Sequence, residues 1–427
     1  MFHSLHFVTS RHRALHSRAG VAFAVAAVTI SSATSLATPP TPAQIEAARN
    51  YNAAAGGQTY IVMYDGQIIA ESYANGGSVS RRQLLASATK GLTGMVGAMA
   101  ASDGIINLDE PVALNAITEW QGDPQKSLIT YRHLLTMSSG LRELNNLTSW
   151  TDYLAAPVDY PAGTVFVYSG DPNIFGLALQ RRLGGESVEA YMNRRLFTPL
   201  GMTSIRWSSG SFTDGNPNLS GGAFVTAVDW AKFGKFVLQM KTGDWTGPSL
   251  VSQPYFDQLF QSNPSHPAYG FYWWLNQEVA PPLATIIDAN NQNQYRNQIE
   301  PIVNNPRVPE DFVMAAGAYE QRLYVIASMN LVVIRNGPQA AAGQFDDSDF
   351  LDLLLPAIVP ATCDSIDFNR NNIFPEDQDV VDFFQVLTGG NCPQPTCNDI
   401  DFNNNQVFPE DQDVIDFFNV LAGGDCD

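Results

Sequence analysis

The sequence predicts an α+β protein: an antiparallel sheet flanked by helices, with a mainly helical lobe inserted, and a small tail of disulfide-stapled loop–helix repeats. Three observations carry this. Strand hairpins stand near both ends of the main part of the chain, helical periodicity fills its middle, and a Cys-bounded unit occurs twice at the C-terminus. At 427 residues, 45% apolar and 15% charged, the chain can bury an ordinary core. Three segments follow: 1–37, 38–361 and 363–427.

Residues 1–37 read as an export signal. Arg11, Arg13 and Arg18 give a positive start, Gly20 to Ile30 is an uncharged apolar-to-small run, and Ser35-Leu36-Ala37 is a small-x-small cleavage site before Thr38-Pro39-Pro40. The run is short for a bilayer, and no later stretch reaches the roughly 18 apolar residues a span needs. The mature chain is therefore expected outside the cytoplasm (secreted, periplasmic or at the cell surface) with no membrane span.

The main segment opens with Tyr60–Tyr64 and Gln67–Glu71 around Asp65-Gly66, a pair favoured in two-residue hairpin turns. A helix is expected from Ser87 through Leu92, Met95, Val96 and Met99. Asn173–Leu183 and Asp229–Met240 are further helices of the long middle. Arg322–Ile326 and Leu331–Arg335, around Ala327–Asn330, form the closing hairpin. Joining the two terminal hairpins into one sheet leaves the helical part as an inserted lobe, and a ligand site is expected in the cleft between them.

The tail repeats at an offset of 34 residues, from Cys363 to Cys397 and from Cys392 to Cys426. In repeats 363–392 and 397–426 an Asx-rich loop precedes an amphipathic helix. Val380, Phe383, Phe384 and Leu387 mark the first helix, and Val414, Phe417, Phe418 and Leu421 the second. Gly389 and Gly423 stop them. All four cysteines lie here, an even number that suggests two disulfides in an exported chain. Among three connectivities, Cys363–Cys392 and Cys397–Cys426 are preferred, because each repeat is too small to be held by burial alone.

Charge and composition exclude several functions. Of the net charge of −19, residues 363–427 contribute −13, with 14 acids against Arg370. No basic face for nucleic acid is expected. The main segment has no cysteine, which excludes a thiol nucleophile or Cys-ligated metal there. Four of the six histidines (His3, His6, His12, His16) fall in the removable segment, leaving His133 and His266. His133 reads as structural, whereas His266 could border the cleft. A Ser-His-Asp triad thus has few candidates for its base. Ser87-Ala88-Thr89-Lys90 supplies an alternative: a lysine three residues on lies one helical turn away on the same face, within reach of the serine hydroxyl. At a helix start, the Ser87 N–H is also free to donate to developing negative charge. S-x-x-K alone is common, and its plainer reading is a helix cap and a surface lysine. Only five lysines occur in the chain, however.

The surrounding blocks narrow the reading. They are SATKGLTGMVGAMAASDGIINLDEPV (87–112), YRHLLTMSSGL (131–141), PAGTVFVYSGDPN (161–173), GGAFVTAVDWAKFG (221–234) and FVMAAGAYEQRLYVIASMNLVVIRNG (312–337). In this order they resemble the penicillin-recognising serine hydrolases: class C β-lactamases, D-alanyl-D-alanine peptidases, and their esterase and 6-aminohexanoate-dimer hydrolase relatives. The resemblance covers roughly residues 45–357 and implies the β-lactamase/DD-peptidase fold. It implies Ser87 as nucleophile, Lys90 as its proton acceptor and Tyr168 as second acid/base group, with no cofactor for catalysis. A buried lysine can take a serine proton, and a tyrosine can relay it to the leaving group. The N–H groups of Ser87 and Ala318 would form the oxyanion hole, with Gly317 allowing close approach of substrate.

Two departures matter. The third motif of the family, Lys-Thr-Gly or His-x-Gly, aligns with Ala315-Ala316-Gly317, so the cation that helps hold a substrate carboxylate is missing. The tyrosine motif reads Tyr168-Ser169-Gly170 in place of Y-x-N, and Asp171 or Asn173 is left to supply the polar contact to substrate. An exported hydrolase of a small ester or amide is the preferred reading, displayed through its tail to a protein or cell-surface partner. The alternatives are β-lactamase or D-Ala-D-Ala peptidase activity, a hydrolase fold that binds without turnover, and repeats that are themselves the main function.

The tail resembles degenerate dockerin modules, which implies calcium. Asp367, Asn369 and Asn371, and equally Asp401, Asn403 and Asn405, take positions 1, 3 and 5 of a calcium loop. Asp379 and Asp413 fall one residue beyond position 12, where Gln378 and Gln412 stand. An Asx-turn loop needing no metal is the competing reading.

Overall fold

The computed structural model describes residues 39–144, 147–210, 212–290, 294–338, 345–356, 363–393, 397–404, 408 and 410–424. The export signal, Asn405 and Cys426 lie outside the described residues.

Nine strands are described: β1 (Thr59–Tyr64), β2 (Gln67–Tyr73), β3 (Arg82–Leu84), β4 (Arg206–Trp207), β5 (Ala223–Thr226), β6 (Trp274–Leu275), β7 (Val313–Gly317), β8 (Gln321–Ile326) and β9 (Leu331–Asn336). The main sheet has the order β2-β1-β9-β8-β7-β6, antiparallel throughout. Asp65 and Gly66 turn the first hairpin with φ of +47° and +67°, the left-handed values that a two-residue turn matched to strand twist requires. β1 pairs with β9 from Thr59↔Asn336 to Tyr64↔Leu331, so the terminal hairpins do join into one sheet.

Strands β7, β8 and β9 are buried along their length, and β1 nearly so, because helices cover the sheet. The principal helices of this part are α1 (Pro42–Ala54), α2 (Thr89–Ser102), α3 (Asp171–Arg182), α4 (Ala227–Thr242) and α5 (Asp347–Leu354). Helix α4 packs on β9, β8 and β1, while α1 packs on β1 and α5. The buried Arg322 guanidinium on β8 donates to both Asp347 oxygens at 2.7 and 2.9 Å, fixing the start of α5. Breaking such a pair by removing one partner would strand a buried charge.

A second small sheet, β3-β5-β4, lies at the root of the inserted lobe, which runs from residue 85 to 222. Strand β3 leads directly into Ser87, and β5 returns from the loop above it. The lobe is helix and loop, as its periodicity predicts.

The tail contributes α6 (Asp377–Leu387) and α7 (Asp411–Leu421). Its core is Phe368, Phe383, Phe402 and Phe417, with Phe383 and Phe417 stacked at 4.4 Å between ring centroids. The repeats also exchange backbone hydrogen bonds, Asp364 N–H to Phe402 O at 2.7 Å and Asn398 N–H to Phe368 O at 2.9 Å. Two repeats therefore make one shared core, not two separate ones. This overturns the expected disulfides. Cys392 bonds to Cys397, with 5.8 Å between Cα atoms, which excludes both Cys363–Cys392 and Cys397–Cys426. The physical reason is the shared core: the end of the first repeat meets the start of the second, and the bridge closes that corner. Cys363 is disulfide-bonded as well.

Candidate active site

The site is built where β3 turns into α2. Leu85 N–H donates to Ala223 O of β5 at 2.8 Å, and the chain then turns sharply through Ala86 at φ +46°. A left-handed alanine costs about 1 kcal/mol and persists only where its surroundings impose it. Here the single 3₁₀ turn Ala86–Ala88 lifts Ser87 onto the corner, one residue pair ahead of α2. The sequence predicts an α-helix from Ser87 itself. The tighter turn differs because β5 holds the corner, through the Thr89 hydroxyl accepting the Ala223 N–H at 3.2 Å.

Lys90 is 3% exposed and points back along its own helix. Its Nζ lies 3.1 Å from Ser87 Oγ and 2.7 Å from the carbonyl oxygen of Ser220. Its third contact is the ring of Tyr168, with the centroid 4.5 Å away. The one-turn spacing read from the sequence thus brings Ser87, Lys90 and Tyr168 together.

The Ser220 carbonyl has no signal in the sequence, because any residue offers one. It is held by Asn173, whose Oδ1 accepts the Leu219 N–H at 2.9 Å and whose Nδ2 donates to Ser220 Oγ at 3.0 Å. The same Nδ2 donates to the Tyr153 hydroxyl at 3.2 Å. Asp171 lies at the start of α3, and its Oδ1 accepts from Ser139 Oγ at 2.8 Å, tying the Tyr168 motif to the LLTMSSGL block. Both residues are buried, Asp171 at 0% and Asn173 at 1% exposure. The structure places them behind the site, as positioning residues whose hydrogen bonds go to protein, in contrast to the expected contact with substrate. Burial, with no cation beside it and with the charge of Glu143 acting on it, pushes the Asp171 carboxyl up to about 7.

Strand β7 approaches from the other side. A Cβ on Gly317 would stand 2.1 Å from Leu85 O and 3.1 Å from Ser87 N, so only glycine lets this strand end lie against the serine backbone. Ala318, the next residue, is exposed at the mouth. Ala315 is buried against α2: a Cβ on Gly91 would meet its methyl at 3.0 Å. A cation at that position is absent.

His266 does not border the cleft. It is fully buried in a ring of Phe166, Tyr269, Trp274 and Tyr295, and neither ring nitrogen has a hydrogen-bond partner among the described residues. Burial drives its pKa down to about 3, leaving it neutral. His133 caps its own helix, its Nδ1 accepting the Thr130 N–H at 3.2 Å.

With this geometry in hand, comparison with known proteins is direct. A family model described as Beta-lactamase matches residues 43–334. The chain belongs to the β-lactamase family. As such it is a serine hydrolase, and its sheet and lobe have solved counterparts. A penicillin-binding protein homologue from Caulobacter crescentus is similar over 74% of this chain and 98% of that one, at 15% identity and a TM-score of 0.53. EstCE1, described as a hydrolase with promiscuous acyltransferase activity, is similar over 69% of this chain and 92% of that one, at 14% identity and a TM-score of 0.53. Identities this low establish the fold alone. A curated sequence, the acyltransferase calJ of Penicillium decumbens, is 29% identical over 150 residues, 28% of this chain. The match spans 36% of the length of that relative.

The tail of this β-lactamase-family chain has its own candidate site. In the first repeat Asp367, Asn369 and Asp379 are buried, and Asp379 Oδ2 has no hydrogen-bond partner among the described residues. The Asp367 carboxylate accepts the N–H groups of Asn371 and Asn372 at 2.9 and 2.8 Å, an Asx-type loop. In the second repeat, burial pushes the Asp413 carboxyl up to about 6. An all-oxygen donor set with a bare buried carboxylate oxygen fits a hard divalent cation. Still, no three His, Cys, Asp or Glu side chains converge as a metal site among the described residues.

Proposed function

We infer that this chain hydrolyses a small ester or amide through an acyl-Ser87 intermediate. The observation that carries the reading is the 3.1 Å approach of Lys90 Nζ to Ser87 Oγ in a nearly dry setting. Lys90 takes the hydroxyl proton as Oγ attacks the carbonyl carbon. Negative charge collects on the carbonyl oxygen, opposite the N–H groups of Ser87 and Ala318. Collapse expels an alcohol or amine, which receives the proton from Lys90 by way of Tyr168. Water then repeats the sequence on the acyl-enzyme. The alanines at 315 and 316 favour esterase or amidase chemistry over the β-lactamase and D-Ala-D-Ala peptidase readings, since those substrates present a carboxylate.

A fluorophosphonate probe should add one equivalent of mass to the wild type on Ser87 and none to Ser87→Ala. Intact mass in the same experiment reads the mature N-terminus, expected at Thr38 for an exported chain. A folded protein that no acylating probe labels would remove the hydrolase reading. Labelling without turnover of short p-nitrophenyl esters, nitrocefin or aminohexanoate dimer would favour a fold retained for binding.

The tail reads as a calcium-stabilised attachment module. Asp367, Asn369, Asn371 and Asp379 would hold the ion in the first repeat, and Asp401, Asn403, Asn405 and Asp413 in the second. A bound cation would offset the repulsion between the buried carboxylates. Melting of the full-length protein should show a tail transition that rises by several degrees with millimolar calcium and falls with chelator. A transition indifferent to both supports the metal-free Asx loop.

A further inference from the structure

The peptide that joins Gly317 to Ala318 has one face in the site and one in the protein interior. Its N–H belongs to Ala318, at the exposed mouth, and no backbone acceptor among the described residues takes it. Its carbonyl oxygen belongs to Gly317 and is reached from inside. Arg322, opposite Ala316 on β8 and 6% exposed, donates from Nη1 to Gly317 O at 3.0 Å and to Gln321 O at 3.1 Å. Nε and Nη2 of the same guanidinium go to the two Asp347 oxygens at 2.7 and 2.9 Å, and Asp347 Oδ1 also accepts from the Tyr324 hydroxyl. Tyr324, Asp347, Arg322 and Gly317 thus form one buried chain of hydrogen bonds that ends on a single peptide beside Ser87.

The ion pair with Asp347 accounts for two of the three guanidinium nitrogens as a tie between β8 and α5. The third is spent on Gly317 O, and this contact does two things to the peptide. A trans peptide is planar with C=O and N–H pointing in opposite directions, so a fixed oxygen fixes the direction of the Ala318 N–H. Donation to the oxygen also polarises the unit and strengthens its N–H as a donor where water is excluded. The chain beyond needs such an anchor. Tyr319 and Glu320 stand at φ of +62° and +55°, a left-handed pair without glycine, and turning the peptide ahead of them would relieve their strain. Arg335 pins the far side of this turn through Glu320 O at 2.6 Å, and Arg322 pins the near side.

We propose that Arg322 is a positioning residue for acyl transfer: by donating to Gly317 O it orients and polarises the Gly317–Ala318 peptide, so that the Ala318 N–H stabilises the oxyanion formed as Ser87 attacks the ester or amide carbonyl. This rests on the acyl-Ser87 reading and deepens it. Arg322 gives up no proton and touches no substrate. The bonds made and broken remain those at Ser87, and the proton remains with Lys90 and Tyr168. The effect belongs to the charged tetrahedral state, since a neutral ground-state carbonyl draws far less on the same donor.

The test uses the full-length protein carrying Arg322→Met with Asp347→Asn, which removes both charges, strands neither, and keeps an oxygen acceptor for the Tyr324 hydroxyl. Rates are counted per Ser87 titrated with a fluorophosphonate. For a neutral p-nitrophenyl ester, kcat and kcat/KM should fall together by about ten- to a hundredfold, less than the loss of an entire oxyanion donor, with KM unmoved. In the acyl-Ser87 adduct formed from an ester with an isotopically labelled carbonyl, the infrared carbonyl band should move to higher wavenumber, because a weaker donor draws on it less. Arg322→Lys keeps a cation beside Asp347 but gathers its donors on one atom. It should shift both readouts the same way by less, and it decides the question if the double variant does not fold. A purely structural role would lower the melting temperature and the titrated fraction while leaving the rate per labelled Ser87 and the carbonyl band in place, and that result overturns the proposal while leaving the hydrolase intact. If the wild type itself forms no acyl adduct on Ser87, the acyl-serine reading fails and the role of Arg322 fails with it.

Discussion

Lys90→Ala should lower kcat/KM for a neutral p-nitrophenyl ester by about 10²- to 10⁴-fold, the range expected for loss of a positioned general base. Neither remaining histidine can substitute. His266 is sealed in an aromatic ring, and His133 is spent on its helix cap. Because Lys90 also donates to the Ser220 carbonyl, the alanine variant loses a buried hydrogen bond worth about 1 to 3 kcal/mol, so its fold must be checked by melting. Lys90→Arg separates charge from proton acceptance. An arginine stays protonated in proteins, so it preserves the positive field but should be as inactive as alanine. Partial restoration of Lys90→Ala by a small primary amine, steepening with pH, would identify the missing group as an amine base. An alanine variant within tenfold of wild type would show that another group takes the Ser87 proton.

The reach of Lys90 depends on groups far from it in sequence. Asn173 fixes Leu219 and Ser220, Ser220 receives Lys90, and Lys90 meets Ser87. Thr93 adds a parallel tie, its hydroxyl donating to Leu219 O at 3.0 Å. Helix α3 and the loop before β5 thus act on α2 through hydrogen bonds to one short backbone segment. The Y-x-N departure is then understandable: glycine stands at position 170, and the asparagine three residues further on turns inward to hold the loop.

What was legible in the sequence has a physical pattern. The β1–β2 and β8–β9 hairpins were readable because each strand is five or more residues long, rich in β-branched and aromatic types, and bounded by turn residues. Their pairing into one sheet followed from the helical middle. Strands β4 and β6, two residues each, leave no periodicity to read. At the site, Ser87 and Lys90 were legible because one helical turn fixes their separation locally. The Ser220 carbonyl and the inward turn of Asn173 and Asp171 were not, since they depend on contacts between segments 32 to 130 residues apart. The tail failed in the same way. Its repeat and helices are local, whereas Cys392–Cys397 follows from the Phe383–Phe417 stacking that merges two units into one core.

Asp171→Asn should stabilise the protein above neutral pH and do little to it below about pH 4. In the fold this carboxyl titrates near 7, against 3.8 for its ordinary value, because it is fully buried, Glu143 adds negative charge, and only serine and backbone donors oppose them. Between those two values the folded chain holds a proton that the unfolded chain releases. Stability from this group is therefore present below about pH 4 and is lost as pH rises through 7. Over some three pH units the loss amounts to about 4 kcal/mol, before any relaxation of the site. An asparagine mimics the neutral carboxyl at every pH: its oxygen can still accept from Ser139 Oγ, and its amide replaces Oδ2, which has no hydrogen-bond partner among the described residues. Carboxylates held below their usual range by arginine, such as Asp103 beside Arg195 and Asp109 beside Arg132, lose stability only in acid, and they do so equally in both proteins. The difference in unfolding free energy between variant and wild type, from urea titrations at pH 5, 6, 7 and 8, should thus climb with pH and level off above 7. A difference that is constant with pH would mean that Asp171 stays ionised in the fold and that its burial is compensated by some other group.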